Sequence, residues 1–173
     1  MTTALIAGIL LIAGVLFFKS RVVPSFSVTA TDIPAIINQL RLTGTDESFA
    51  DIGFLPPGSA DRGADVHIQY SIDKGLLGFD WVLIVPRNIA DEEKVIAFAA
   101  TLGHRLEKQE MNNVRYLRMT GDHLAELGTK IILDLYQIPP DAKLDMTAQG
   151  FAWGSSKAPS PGAAGKPPES YDV

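Results

Sequence analysis

Val66-His67-Ile68-Gln69-Tyr70-Ser71-Ile72 decides the fold, because apolar and polar side chains alternate along it without a fault. Successive side chains of a strand point to opposite faces, so this stretch predicts a strand with one buried and one polar face. Asp73, Lys74 and Gly75 then turn the chain toward Gly78. The run that follows, Phe79-Asp80-Trp81-Val82-Leu83-Ile84-Val85, is apolar on both faces toward its end, as a central strand is, and Pro86 stops it. The two strands are expected to pair as an antiparallel hairpin.

Upstream, Asp32 precedes Ile33, Pro34, Ile36, Ile37 and Leu40. An Asp cap, a Pro in the first turn and apolar residues three and four apart predict a short amphipathic helix ending near Gly44. Residues 44–65 are rich in Gly, Pro and Asp, but Phe49, Ile52, Phe54 and Leu55 are too apolar for a free loop. They predict a short strand or a packed segment. Downstream, Asn88 is placed to cap a second helix, with Asp91, Glu92 and Glu93 in its first turn, near the positive end of the dipole. Val95, Phe98, Ala99 and Leu102 form its apolar stripe and Gly103 suits its C-terminus.

His104 to Gln109 reads as a polar edge strand, Met111-Asn112-Asn113 as a turn, and Val114 to Thr120 as the returning strand of a second hairpin. Asp122 is expected to cap a third helix carrying Leu124, Leu127, Ile131, Ile132 and Leu135 on one side. Lys143 to Gln149 alternates again and predicts a last strand, with Phe151 and Trp153 closing the domain. Paired strands between helices predict an α+β fold: an antiparallel sheet of two hairpins plus a C-terminal strand, with about three helices on one face.

Two end segments stand apart from this domain, which is assigned residues 22–153. Residues 1–21 begin with an apolar run from Ala4 to Phe18 that meets Lys19 and Arg21, and read as one N-terminal transmembrane helix. The competing readings are a cleaved signal peptide ending at Val28-Thr29-Ala30 and a buried core helix. No Lys or Arg precedes the apolar run, which speaks against the signal peptide. Within the span, Ala4 and Gly8 form a small-xxx-small pair and Gly14 continues a small-residue stripe, a face suited to close helix approach. Lys19 and Arg21 follow the span, so the positive-inside rule puts the domain in the cytoplasm, with export as the alternative. Residues 154–173 are dominated by Gly, Pro, Ser, Ala and Lys and are expected to be disordered.

The net charge of −5 belongs entirely to the part beyond residue 18. An acidic domain has no electrostatic reason to bind nucleic acid. The chain has no cysteine, which excludes disulfides, thiolate catalysis and thiolate-bound zinc. His67, His104 and His123 are not at metal-binding spacing, and the acidic run at 91–93 is explained by its place at a helix start. No catalytic, cofactor-binding or metal-ligating constellation is therefore expected. The surfaces of interest are the polar face of the first hairpin and the candidate partner set Arg105, Arg115 and Arg118, positioned either to receive an acidic protein or to pair across the strands with Glu107 and Glu110.

The order helix, three strands, helix, two strands, helix over residues 32–137 resembles the type III secretion chaperone-like fold. The resemblance rests on element order and implies a protein-binding, non-catalytic module. The expected function is thus a membrane-tethered protein-interaction domain, chaperone-like or scaffolding. The rivals are a small ligand-binding or hydrolytic domain whose site forms only on folding, and an accessory subunit acting through its span.

Overall fold

The computed structural model describes residues 24–59 and 64–154. Seven strands form one sheet in the order β1-β7-β2-β3-β4-β6-β5, and every neighbouring pair is antiparallel. In chain order these are β1 (Ser25–Val28), β2 (Phe49–Phe54), β3 (Val66–Asp73), β4 (Leu76–Val82), β5 (Glu107–Met111), β6 (Val114–Thr120) and β7 (Leu144–Gln149). Four helices accompany them among the described residues: α1 (Ile33–Thr43), α2 (Pro86–Ala90), α3 (Glu92–Thr101) and α4 (Leu124–Lys130), the last running on into a π turn (Ile131–Leu135). The α+β class and both expected hairpins are present, in a larger sheet than the sequence predicts.

The alternation in β3 sorts its residues as expected. Val66, Ile68, Tyr70 and Ile72 join one core with Ile52, Phe79, Trp81, Leu117 and Met146 from the other strands. Onto this face pack Ile33, Ile36 and Leu40 of α1, Val95 and Ala99 of α3, and Leu124, Leu127, Ile131 and Ile132 of α4 and its π turn. Tyr70 reaches α4 where that helix has Gly128, whose added Cβ would lie 1.8 Å from the tyrosine oxygen. Close approach of helix and sheet therefore depends on a glycine there.

Several local expectations need correction. The apolar stretch at 49–55 is a full strand, paired on both sides, because β7 returns to lie between β1 and β2. Strand β1 was not expected; its four residues are too few for alternation to show. Those residues would be lost by cleavage after Ala30, which is itself buried. Strand β4 ends at Val82, three residues before the expected Val85, and Pro86 opens the short helix α2 as well as ending the strand. Asp32 reaches back to the Thr29 backbone N–H at 2.8 Å instead of capping α1. His123, with φ of +65°, holds the N-cap position of α4 expected of Asp122. Gly103, at φ +79°, does follow α3 as expected.

The expected span at residues 1–21, including Ala4, Gly8, Gly14 and Phe18, lies outside the described residues, as does the tail from residue 155 on. Among the described residues no helix is long and apolar enough to cross a membrane.

Candidate functional site

The face of the sheet turned away from this core is the informative one. Strand register lines up one side chain from each strand across it: Ser25, Thr147, Asp51, Gln69, Asp80, Arg118 and Glu107. Every member of the row is polar. The middle four are nonetheless buried, at 5% exposure for Asp51, 3% for Gln69, 2% for Asp80 and 6% for Arg118. Buried polar groups are costly unless paired, so each one calls for an account of its partners.

Arg118 and Asp80 account for each other. Arg118 Nη1 donates to Asp80 Oδ1 at 2.6 Å and to Oδ2 at 2.8 Å, and Ser71 Oγ donates to Oδ2 at 2.5 Å. Arg118 Nη2 also donates to the Leu76 carbonyl at 3.0 Å. Gly78 makes this possible: a Cβ there would lie 2.6 Å from the guanidinium carbon. Burial pushes the Asp80 carboxyl above its usual range, opposed by the Arg118 charge and by hydrogen bonds from Ser71 and Arg118. Loss of the arginine would remove the strongest opposition.

A second pair lies beside the row. His67 Nδ1 is 2.8 Å from Asp51 Oδ2, and the imidazole rests against Gly53 on the neighbouring strand, where a Cβ would meet Cε1 at 3.0 Å. Burial alone would lower the His67 imidazole. The hydrogen bond and charge of Asp51, with a smaller contribution from Asp65, outweigh it and raise the group above its ordinary 6.5. The His67 backbone is held by Asn88: its N–H donates to Oδ1 at 3.1 Å and its carbonyl accepts from Nδ2 at 2.7 Å. Asn88 thus serves as a buried staple from α2 onto β3, not as the helix cap expected of it.

Gln69 stands between Asp51 and Asp80 and has no such account. Among the described residues its amide makes no side-chain hydrogen bond, although it is almost fully buried. It lines a cleft of about 220 Å³ at this face, whose walls include Phe49, Val82 and Tyr116 and whose rim carries Asp46, Glu47 and Asp73. Phe49, Val82 and Tyr116 are buried but stand outside the main core. The Tyr116 hydroxyl donates to Gln109 Oε1 at 3.1 Å, and burial, with the Asp80 charge, raises its ionisation above the ordinary value.

The structure does not gather the three expected arginines. Arg118 is inside, held by Asp80. Arg115 is exposed and lies three positions away on β6, hence on the opposite face, with Glu110 as its register partner. Arg105 is exposed in the connection before β5. Register explains the outcome: Asp80 lies directly across from Arg118 on β4 and captures it.

Two histidines separated in sequence do meet, His104 and His123, with ring centroids 5.6 Å apart. His123 Nδ1 is 3.0 Å from Glu126 Oε2. Among the described residues no group of three or more His, Asp or Glu side chains is placed to hold a metal ion. In the acidic run, Glu92 and Glu93 occupy the first turn of α3. Asp91 instead accepts from the Tyr136 hydroxyl at 2.6 Å and from Arg87 Nε at 2.5 Å.

Gln69, Ser71 and Asp80 lie on the polar face of the first hairpin, which the sequence marks as a candidate surface, whereas Asp51 and the capture of Arg118 by Asp80 were missed. A signal was present: Asp51 and Asp80 are single charges inside otherwise apolar strands, where an unpaired carboxylate is disfavoured. Comparison of the chain with protein-family models, with curated proteins and with solved structures finds no match.

Proposed function

We propose that this chain is a membrane-tethered protein-interaction domain whose binding surface is the open face of the sheet, the face that the described helices leave uncovered. The observation that carries the reading is the recessed cleft on that face, with buried Phe49, Val82 and Tyr116 beside the polar row and outside the helix-covered core. Concave sites that combine apolar walls with a few placed polar groups are where proteins bind ligands and partner side chains. The order of elements from α1 to α4 follows the helix, three strands, helix, two strands, helix order of the type III secretion chaperone-like fold, with α2 and α3 together as its middle helix. That likeness supports a binding role as an analogy of fold. The apolar run from Ala4 to Phe18 supports the tether, and Lys19 and Arg21 support a cytoplasmic domain.

A crosslinked pull-down of the full-length chain in mild detergent, with a tag after Val173, tests the reading. A chain lacking residues 1–21 is the control. A discrete protein captured by both forms is the expected result. Capture by the full-length chain alone would transfer the function to the span.

One observation favours a second reading. Asp51 orients His67 as a carboxylate orients a general base, leaving Nε2 as the proton-accepting nitrogen. A hydrolytic or ligand-binding role follows if His67→Gln abolishes a defined turnover while the fold is kept.

A further inference from the structure

We infer that the cleft on the open face receives the basic side chain of a partner protein, an arginine or lysine whose apolar stem lies along Phe49, Val82 and Tyr116. The inference rests on the reading of this face as the binding surface and specifies what enters it. Its first support is Gln69, 3% exposed, lining the cleft, with an amide unpartnered among the described residues. The amide is not sealed from solvent, since the unpartnered side-chain atom shut away among the described residues is His104 Nε2; the amide therefore faces the cleft and is available to hydrogen-bond an incoming group.

Charge decides which kind of group. Gln69 is flanked in register by Asp51 and Asp80. Among the described residues Asp46, Glu47 and Asp73 stand on the rim beside Lys74. Arg118 and Asp80 cancel each other through two contacts, and Asp51 is paired with His67, so the surplus of negative charge is that of the rim. An anion entering here would meet a surplus of carboxylates, whereas a guanidinium or ammonium would be attracted and could donate to the Gln69 carbonyl. The aromatic walls add a favourable surface for a cation. Size points the same way: about 220 Å³ is below the roughly 300–1,000 Å³ usual for small-molecule sites and suits one long side chain.

The test uses the full-length chain in mild detergent and three blocked amino acids as probes: Nα-acetyl-arginine, Nα-acetyl-norleucine and Nα-acetyl-glutamate methylamides. Binding is read from the NMR signals of the Gln69 side-chain amide. The arginine probe is expected to shift these signals saturably, and to bind several-fold more weakly when ionic strength rises from about 0.05 to 0.5 M. Gln69→Leu, followed through the backbone signals of β3, should weaken it about tenfold, as loss of a hydrogen bond to a charged group does. Asp73→Asn on the rim should weaken it with the fold untouched, so the inference stays testable if Gln69→Leu does not fold. Equal binding of the norleucine or glutamate probe, or no binding of the arginine probe, overturns the inference.

A photo-crosslinker at exposed Leu76, on the same face, separates this inference from the reading beneath it. The arginine probe in excess should suppress crosslinking of a partner at that position. Binding of the probe without suppression would mean a free organic cation as occupant, and would overturn the partner assignment. Partner crosslinking at Leu76 that is indifferent to Gln69→Leu, Asp73→Asn and the probe would sink the cationic occupant while leaving the binding face intact. Absence of any crosslink at Leu76, with crosslinks from the helical side, would remove the binding face itself.

Discussion

Arg118 and Asp80 are cross-strand partners whose charged ends are shut off from water, and the energetics of such pairs are lopsided. Breaking a buried pair from one side costs about 3–5 kcal/mol, while replacing both partners by apolar side chains of similar size is often neutral or stabilising. Arg118→Ala should therefore lower the urea midpoint sharply, whereas the double change Arg118→Met with Asp80→Leu should recover most of the loss. Gly78→Ala should destabilise as well, since the new methyl would occupy the place of the guanidinium.

His67 offers a pH test at the same scale. Its folded value is raised above the unfolded 6.5, so its contribution to stability is complete below about pH 6.5. That contribution fades as pH rises through the folded value. His67→Gln should remove this part of the pH dependence, measured as the difference between the urea midpoints of the two proteins across pH 6 to 9. At the residue scale the sequence showed which side chains are polar, and it showed the lone charges of Asp51 and Asp80. It did not show that Asp80, and not Glu107, takes Arg118, because both lie in register with that arginine on opposite sides of β6.

Helix α2 is only five residues long, and its place is set by Asn88 more than by its own apolar contacts. Asn88 Nδ2 donates to the carbonyls of His67 and Val82, while the Trp81 indole donates to the Asn88 carbonyl at 2.9 Å. Asn88→Ala leaves the His67 N–H and the His67 and Val82 carbonyls without partners, at about 1–3 kcal/mol for each buried group, while the Trp81 indole keeps its backbone acceptor. Its thermal midpoint should fall, with hydrogen exchange at the His67 amide rising first. The elements themselves were mostly legible: β3 from strict alternation, α1 from its apolar spacing, and the β5–β6 turn from Asn112 and Asn113, which both adopt positive φ. The errors fell at ends, at Val82, Asp32 and Asp122, where capping and tertiary contacts decide. The π turn at Ile131–Leu135 left the apolar stripe readable while hiding the change of helix geometry.

Across the molecule, hairpins were readable because their strands are neighbours in sequence. The insertion of β7 between β1 and β2, and the joining of the hairpins through β4 and β6, were not, because pairing between distant segments leaves no local mark. The polar row exists only through that strand order, so no window of sequence contains it. That face is thus a property of the whole sheet, and the proposed contact of a partner protein with it, where the cleft lies, is tested at this scale. The direct measurement is site-specific photo-crosslinking in native membranes, with a crosslinker at Leu76 or Thr120 on the open face and at Arg41 or Ala97 on the helical side, all four being exposed. The proposed binding face predicts a discrete crosslinked partner from the first two positions and none from the others. Crosslinks confined to Arg41 and Ala97 would contradict it.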